Sequence, residues 1–272
     1  MQFSRGWYLW KGEKRVINTN VADAMKGAYL GPEYDDKAIM SMVRKYGAQY
    51  KYYENFDDLT KVVAGELAEG NVVGWFQGRM EYGPRALGGR SILGDARNPE
   101  MQKKMNLKIK YREGFRPFAP SVLEEDVKEY FKLDSTSPYM LIVMPVQEKH
   151  LKPLPANYDS LEMMDRLYHL RSDIPSVTHV DYSARIQSVS KQTNPRYWNL
   201  INEFKNQTGY ALLVNSSFNV RGEPIVCTPD DAFRCFMRTE MDFLVVGNFV
   251  FDKRNQTQLA NDTNWKEEFK LD

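Results

Sequence analysis

Ten basic residues fall between Arg79 and Arg116: Arg79, Arg85, Arg90, Arg97, Arg112 and Arg116 with Lys103, Lys104, Lys108 and Lys110. Only Glu81, Asp95, Glu100 and Glu113 oppose them, a surplus of six in a chain whose formal charge is +1, so the rest of the sequence sums to −5. Within this segment GRMEYGPRALGGRS (78–91) places glycines at 78, 83, 88 and 89. Glycines let the backbone turn sharply and approach a ligand closely, and the arginines between them offer planar forks that match phosphate or carboxylate oxygens. The blander account is solvated surface charge with glycines serving only as turn residues. Two details weigh against it: Arg85 is enclosed by Gly83-Pro84 and Gly88-Gly89, and FRPFAPSV is expected to bury Arg116 among Phe115, Phe118 and two prolines. Long charged side chains are seldom placed among aromatics without a partner.

Two further stretches carry polar chemistry. LLVNSSFNVRGEP (212–224) ends a strand-like run in Asn215, Ser216, Ser217 and Asn219, small hydroxyl and amide groups that can bind phosphate or adenine edges. On its own this is a weak motif whose plain alternative is a polar turn. THVDYSARIQSV (178–189) contributes His179, Asp181 and Arg185. A lone histidine is more often a satisfied structural group than a catalyst. No GxxxxGK[ST] sequence occurs, so side chains rather than a Walker-type loop must hold any nucleotide.

The elements that position these groups follow from periodicity. Between Asn55 and Glu69, Leu59, Val62, Val63 and Leu67 recur at helical spacing and Gly70 closes the run; VVGWF (72–76) is the strand expected next. Asn98-Pro99, Asn194-Pro195 and Thr228-Pro229 each predict a helix start, with a capping side chain followed by a proline whose missing N–H costs nothing there. The second helix carries Tyr197, Leu200, Ile201 and Phe204 on one face, and the third Ala232, Phe233, Phe236 and Met237. YMLIVMPV (139–146), ALLV (211–214) and FLVV (243–246) are β-rich runs of strand length. The pattern predicts a mixed α/β fold, with residues 148–173 as a proline-interrupted excursion and residues 1–30 as a tail or linker.

A length of 272 residues with 42% hydrophobic content supports one large core. The near-neutral total gives no signature for nucleic acid or anionic membranes. The stretch Phe243–Phe251 is far too short to span a bilayer and reads as a buried strand, and no secretory signal pattern opens the chain, so a cytoplasmic location is expected. Cys227 and Cys235 form no ligand group or disulfide framework and are expected to be reduced and buried. No metal ligand set is predicted.

Taken in order, AYLGPEY, VVGWFQGRMEYGPRALGGRSILGDAR, KYREGFRPFAPSVL, HVDYSARIQSVS and VNSSFNVRGEPIVCTPDDA closely resemble the C-terminal domain of the nodulation-protein-U and antibiotic O-carbamoyltransferase family, from about Ala28 to Lys253. The resemblance implies a YrdC-like fold over 31–272: a twisted mixed sheet flanked by helices around a basic cavity. It implies use of ATP, magnesium and carbamoyl phosphate to make carbamoyl adenylate, with release of phosphate and pyrophosphate. A Kae1-like N-terminal domain holding iron would then transfer the carbamoyl group to an acceptor. Nothing in this chain resembles that domain, so it is expected as a partner in the same or another chain.

By motif, the resemblance assigns Arg85 of GPRALG, Lys110 and Arg112 of KYR, Arg116 of FRPFAP, Arg185 after HVD, and Ser217 and Asn219 of SSFN to the site. Lys110, Arg112 and Arg116 would hold phosphate oxygens, Ser217 and Asn219 would orient the α-phosphate or carbamoyl group, and His179 and Asp181 would position water, metal or Arg185. Three positions depart from the family pattern: Gly89 stands for the usual Asn, Ser216 for Thr and Tyr182 for Gly, the last expected to narrow the pocket. Two other readings compete. One is an RNA-associated module of the threonylcarbamoyl-adenylate type, for which the basic segment would contact phosphates; the other is a non-catalytic docking domain.

Overall fold

The computed structural model describes residues 11–12, 23 and 25–258. Nine strands form one mixed sheet: β1 (Lys51–Tyr52), β2 (Val73–Phe76), β3 (Arg90–Gly94), β4 (Ala119–Leu123), β5 (Ile142–Pro145), β6 (Ser183–Val189), β7 (Leu212–Ser217), β8 (Phe243–Val246) and β9 (Phe249–Asp252). Their order is β1-β9-β8-β2-β3-β7-β4-β6-β5, with β2·β8 and β4·β6 parallel and the other pairs antiparallel. The helices are α1 (Asp36–Tyr46), α2 (Phe56–Ala68), α3 (Met101–Lys108), α4 (Val127–Tyr130), α5 (Met163–Tyr168), α6 (Pro195–Thr208) and α7 (Pro229–Arg238). The α/β expectation holds.

β2, β3, β4 and β8 are buried along their whole lengths because helices cover both faces. On one face Phe233 of α7 packs edge-on to Phe251, and Gly94 leaves room for Met101 of α3. On the other, Phe56 of α2 meets Trp75, and α2 packs along α6. Asn55, Asn194 and Thr228 cap their helices as expected, Thr228 in a capping box with Asp231.

Three elements differ from the sequence reading. Asn98 does not cap α3; its Oδ1 accepts the Glu100 N–H at 2.9 Å, which builds a turn and delays the helix to Met101. The run Phe243–Phe251 is a hairpin rather than one strand, because Gly247 at φ 56° and Asn248 reverse the chain between Val246 and Phe249. β5 starts only at Ile142 because Met140 takes φ 55°. Cys235 is buried and Cys227 half-buried, and neither is in a disulfide.

Of the first thirty residues, the described part includes Ala28, which packs with Leu87, Ala119 and Met140, and Tyr29, whose hydroxyl donates to the Leu87 carbonyl at 2.6 Å and accepts from Asn194 Nδ2 at 2.9 Å. Tyr82 N–H donates to the Ala28 carbonyl at 2.7 Å, and Gly31 N–H to that of Met80 at 2.9 Å. The segment is thus strapped to the loop that carries Arg85. Residues 148–173 add short helical turns and α5 but no strand of the sheet. Among the described residues no helix is long and apolar enough to cross a membrane.

Candidate functional site

The site is built where β7 ends and the chain leaves α3. Lys110 follows α3 by two residues and is only 3% exposed. Its Nζ donates to the Ser217 carbonyl, to the Asn219 carbonyl at 2.8 Å and to Asn219 Oδ1 at 2.9 Å, with Ser217 Oγ at 3.4 Å. Ser217 Oγ donates to Asn219 Oδ1 at 2.7 Å. An ammonium has three protons, and neutral acceptors of this one turn take them all. Burial, with the Arg112 charge adding to it, pulls the Lys110 pKa down to about 7.

Arg112 stands over the Phe118 ring at 5.0 Å and spends its Nε on Asn106 Oδ1 at 2.7 Å; burial, then Arg116, lowers its pKa to about 10. Arg116 is not buried among aromatics as expected. Its side chain is 48% exposed and paired with Glu113 at 3.1 Å, while Phe115 is also exposed and the Phe118 ring is covered by Arg112 instead. Lys110, Arg112, Arg116, Ser217 and Asn219 line one cavity of about 190 Å³, together with Val220, Arg221 and Gly222. Five of the nine expected site residues are therefore brought together.

The other four stand apart from that cavity. Arg85 and Arg185 lie close enough that the Arg85 charge, after burial, lowers the Arg185 pKa. Arg185 Nε is buried with no partner, and neither arginine meets a carboxylate among the described residues. Arg185 sits on β6 two residues before Gln187, which pairs with Ser121; Ala119, two before Ser121, pairs with Asn215 of β7. That row ends on the same sheet face as Ser217, two residues beyond Asn215. His179 and Asp181 line a separate cavity of about 270 Å³ with Phe115, Pro117, Arg171 and Thr178. Burial lowers the His179 pKa, so the ring is neutral at pH 7, and Asp181 Oδ1 is occupied by the Ser183 hydroxyl at 2.6 Å and N–H at 3.1 Å.

The departures now have physical accounts. Tyr182 takes φ 62°, a left-handed conformation that suits glycine, and it lines neither cavity, so the constraint at this position is backbone conformation rather than pocket width. Tyr182→Gly is expected to stabilise the chain by about 0.5–1 kcal/mol, since the left-handed penalty of about 1–2 kcal/mol exceeds the entropy that glycine loses. A thermal unfolding scan checks this, as an upward shift of about 1–4 °C. Ser216 alternates to the face opposite Ser217 and does not reach the site. Gly89 is held by its N–H on Glu81 Oε1 at 2.7 Å, and a Cβ there would stand 2.8 Å from the Arg79 carbonyl.

The surplus of six charges is not one patch. Arg97 is paired with Asp95, Lys104 with Asp242, Lys108 with Glu240 and Arg79 with Glu33, and Arg90 is wholly buried. What remains for a ligand is the Lys110 cavity and the Arg85–Arg185 pair.

The family model described as carbamoyltransferase C-terminus matches residues 64–253. The chain belongs to this family. It is 56% identical to the uncharacterized protein sll1178 of Synechocystis over 98% of this chain and 43% of that one. It is 40% identical to nodulation protein NolNO of Sinorhizobium fredii, over 85% of this chain and 32% of that protein. Against the 3'-hydroxymethylcephem-O-carbamoyltransferase of Streptomyces clavuligerus it is 34% identical over 68% of this chain and 31% of the relative. The chain thus spans less than half the length of these relatives. Among solved structures, full-length HypF in its phosphate- and nucleotide-bound form aligns over 79% of this chain and 23% of its own, at 18% identity and a TM-score of 0.43.

Sequence reasoning missed the residues that hold the site from behind. Asn106 orients Arg112 and also donates to the Gly114 and Arg116 carbonyls at 3.1 and 2.9 Å. Glu81, counted only as a charge, accepts the N–H groups of Leu87, Gly89 and Arg90 and so shapes the Arg85 loop. A buried-face asparagine one residue after Met105 was the available signal for the first. For the second there was none, because its partners are backbone.

Proposed function

We propose that this chain activates carbamoyl phosphate with ATP, forming carbamoyl adenylate, as the C-terminal part of an O-carbamoyltransferase. The observation that carries the reading is the buried Lys110 ammonium, clamped by Ser217 and Asn219 in a cavity shared with Arg112 and Arg116. Membership of a carbamoyltransferase family and a relative named as a cephem O-carbamoyltransferase support it. Water would cleave carbamoyl phosphate to phosphate and carbamate. A carbamate oxygen would then attack the α-phosphorus of ATP, and the bond to the β-phosphate oxygen would break to release pyrophosphate. Negative charge accumulates on the α-phosphoryl oxygens in that step, and fixed cations in a site that excludes water stabilise it without reorganising.

In the geometry described, a phosphate oxygen that reaches Lys110 Nζ must displace an oxygen of Ser217 or Asn219. Arg112, whose terminal nitrogens have no protein acceptor among the described residues, and the exposed Arg116 would meet the ligand first. Among the described residues no three His, Cys, Asp or Glu side chains converge to hold a metal, so magnesium would enter on the triphosphate. Transfer to an acceptor hydroxyl would fall to an iron-holding domain in the same or another chain, which the greater length of the relatives supports.

The test is pyrophosphate release from ATP and magnesium by the purified chain, with and without carbamoyl phosphate. Release that depends on carbamoyl phosphate is expected. Thermal shift with each ligand should show stabilisation by both, and a folded chain that neither ligand stabilises sinks the reading.

A further inference from the structure

The stretch Tyr82–Pro84 is exposed, and a Cβ placed on Gly83 would touch nothing, yet every residue from Ala86 to Arg90 is buried. Arg85 stands at that boundary. No hydrogen bond or ion pair holds its side chain among the described residues, so its place is set by the backbone around it. The first hold after the exposed stretch is Asn215 of β7, whose Nδ2 donates to the Ala86 carbonyl at 3.0 Å and to Gln187 Oε1 at 2.9 Å. Gln187 Nε2 in turn donates to the Leu87 carbonyl at 2.7 Å, and its Oε1 also accepts the Ser121 hydroxyl. A carbonyl can only accept, which fixes the orientation of both amides. Asn215 Oδ1 is left buried with no partner among the described residues.

We infer that Asn215 is a positioning residue for this site: it ties the backbone beside Arg85 to the strand that ends at Ser217, and so holds the Arg85 loop in register with the Lys110 cavity. A buried amide with one unpaired oxygen costs stability that an apolar residue of the same shape would avoid. The three residues before it on β7, Leu212, Leu213 and Val214, are buried and apolar, so packing alone does not call for an amide at 215. The register shows what it serves. Asn215 lies two residues before Ser217 on β7 and Gln187 two after Arg185 on β6, so each amide shares a sheet face with a candidate site residue of its own strand. Ser217 is in turn bound to Lys110 Nζ through its carbonyl. The Arg85–Arg185 pair and the Lys110 cavity, otherwise apart, are thus joined through two buried amides that grip consecutive carbonyls of the Arg85 loop.

The inference rests on the activation reading only where turnover is measured. Its first test needs no ligand: amide hydrogen exchange in the parent and in Asn215→Leu, which keeps the side-chain shape and removes the amide. The Leu87 N–H, bonded to Glu81 Oε1, reports the Arg85 loop, and the amides of β8 report the sheet. Exchange at Leu87 is expected to quicken at least about tenfold more than exchange along β8. Asn215→Ala, which asks for no extra room, carries the same measurement should the leucine variant fail to fold. A Leu87 rate that is unchanged, or that rises only as much as β8, overturns the inference. The second test is a double-mutant cycle on carbamoyl phosphate-dependent pyrophosphate release. Asn215→Leu should lower kcat/KM about tenfold in the parent but less than about twofold in an Arg85→Gln background, because it acts through Arg85. Equal losses in the two backgrounds overturn it. A parent that does not turn over counts against the proposed reaction, and the exchange rates then judge Asn215 alone.

Discussion

Lys110→Ala is expected to lower carbamoyl phosphate-dependent pyrophosphate release at least about a hundredfold while leaving the fold intact, since deleting one preorganised charge donor at a reacting oxyanion costs on that order. The loss has two parts. The ammonium would no longer face the α-phosphoryl oxygens, and the Ser217 and Asn219 oxygens that it gathers would lose their common donor. Lys110→Arg should not restore activity, because a planar fork cannot aim three protons into one small turn. Stability should respond in the opposite sense to activity. The folded-state pKa of Lys110, about 7, lies below the ordinary lysine value of 10.5, so the unfolded chain binds the proton more tightly. Stability contributed by this group is therefore absent below about pH 7 and rises between about pH 7 and 10.5. Denaturant titrations across that window should show the rise in the parent and a flatter profile in Lys110→Ala. Binding an anion beside Lys110 should raise its pKa, so ATP binding at pH 8 is expected to take up a proton. Calorimetry in buffers of different ionisation enthalpy reads that uptake directly.

How much of this was legible in the sequence depends on the range of the interaction. The caps at Asn194 and Thr228 were readable because cap, proline and first turn lie within four residues, and local sequence decides them. Asn98-Pro99 has the same spelling and fails, because the Asn98 side chain closes a turn on the Glu100 N–H and the helix begins only at Met101. The Ser217, Asn219 and Lys110 grouping was available only through resemblance. Nothing in local spacing says that a lysine after α3 will meet the end of β7, and that contact is made by the sheet order β3-β7-β4. The exposure of Arg116 was misread for a related reason. Neighbouring aromatics in sequence imply burial only if the segment folds back on them, and here Phe115 and Arg116 face outward while Phe118 turns in.

Arg90→Met is expected to destabilise the chain by about 3–5 kcal/mol, since several buried carbonyls lose their donor at about 1–3 kcal/mol each. Arg90 is one of the ten basic residues of the Arg79–Arg116 segment, yet it is 0% exposed and serves the fold. Its NH1 donates to the Gln77, Gly78 and Gly89 carbonyls at 3.1, 3.1 and 3.0 Å, its NH2 to that of Pro32 at 3.1 Å, and the guanidinium lies 3.5 Å from the Phe76 ring centre. Methionine refills the volume but leaves these oxygens without their donor, and unmet buried acceptors are what make such changes costly. The expected readout is a fall in Tm of about 6–20 °C. Arg90→Lys should recover little of it, since one compact ammonium cannot span carbonyls from both Pro32 and the 77–89 loop. Because that loop carries Arg85 and is strapped by Tyr29, the Arg90 variant should also lose activity well below its Tm, where Tyr182→Gly does not. That separation identifies Arg90 as the strut between the strap and the cationic loop. It explains why a chain with so many arginines leaves so few of them to the ligand.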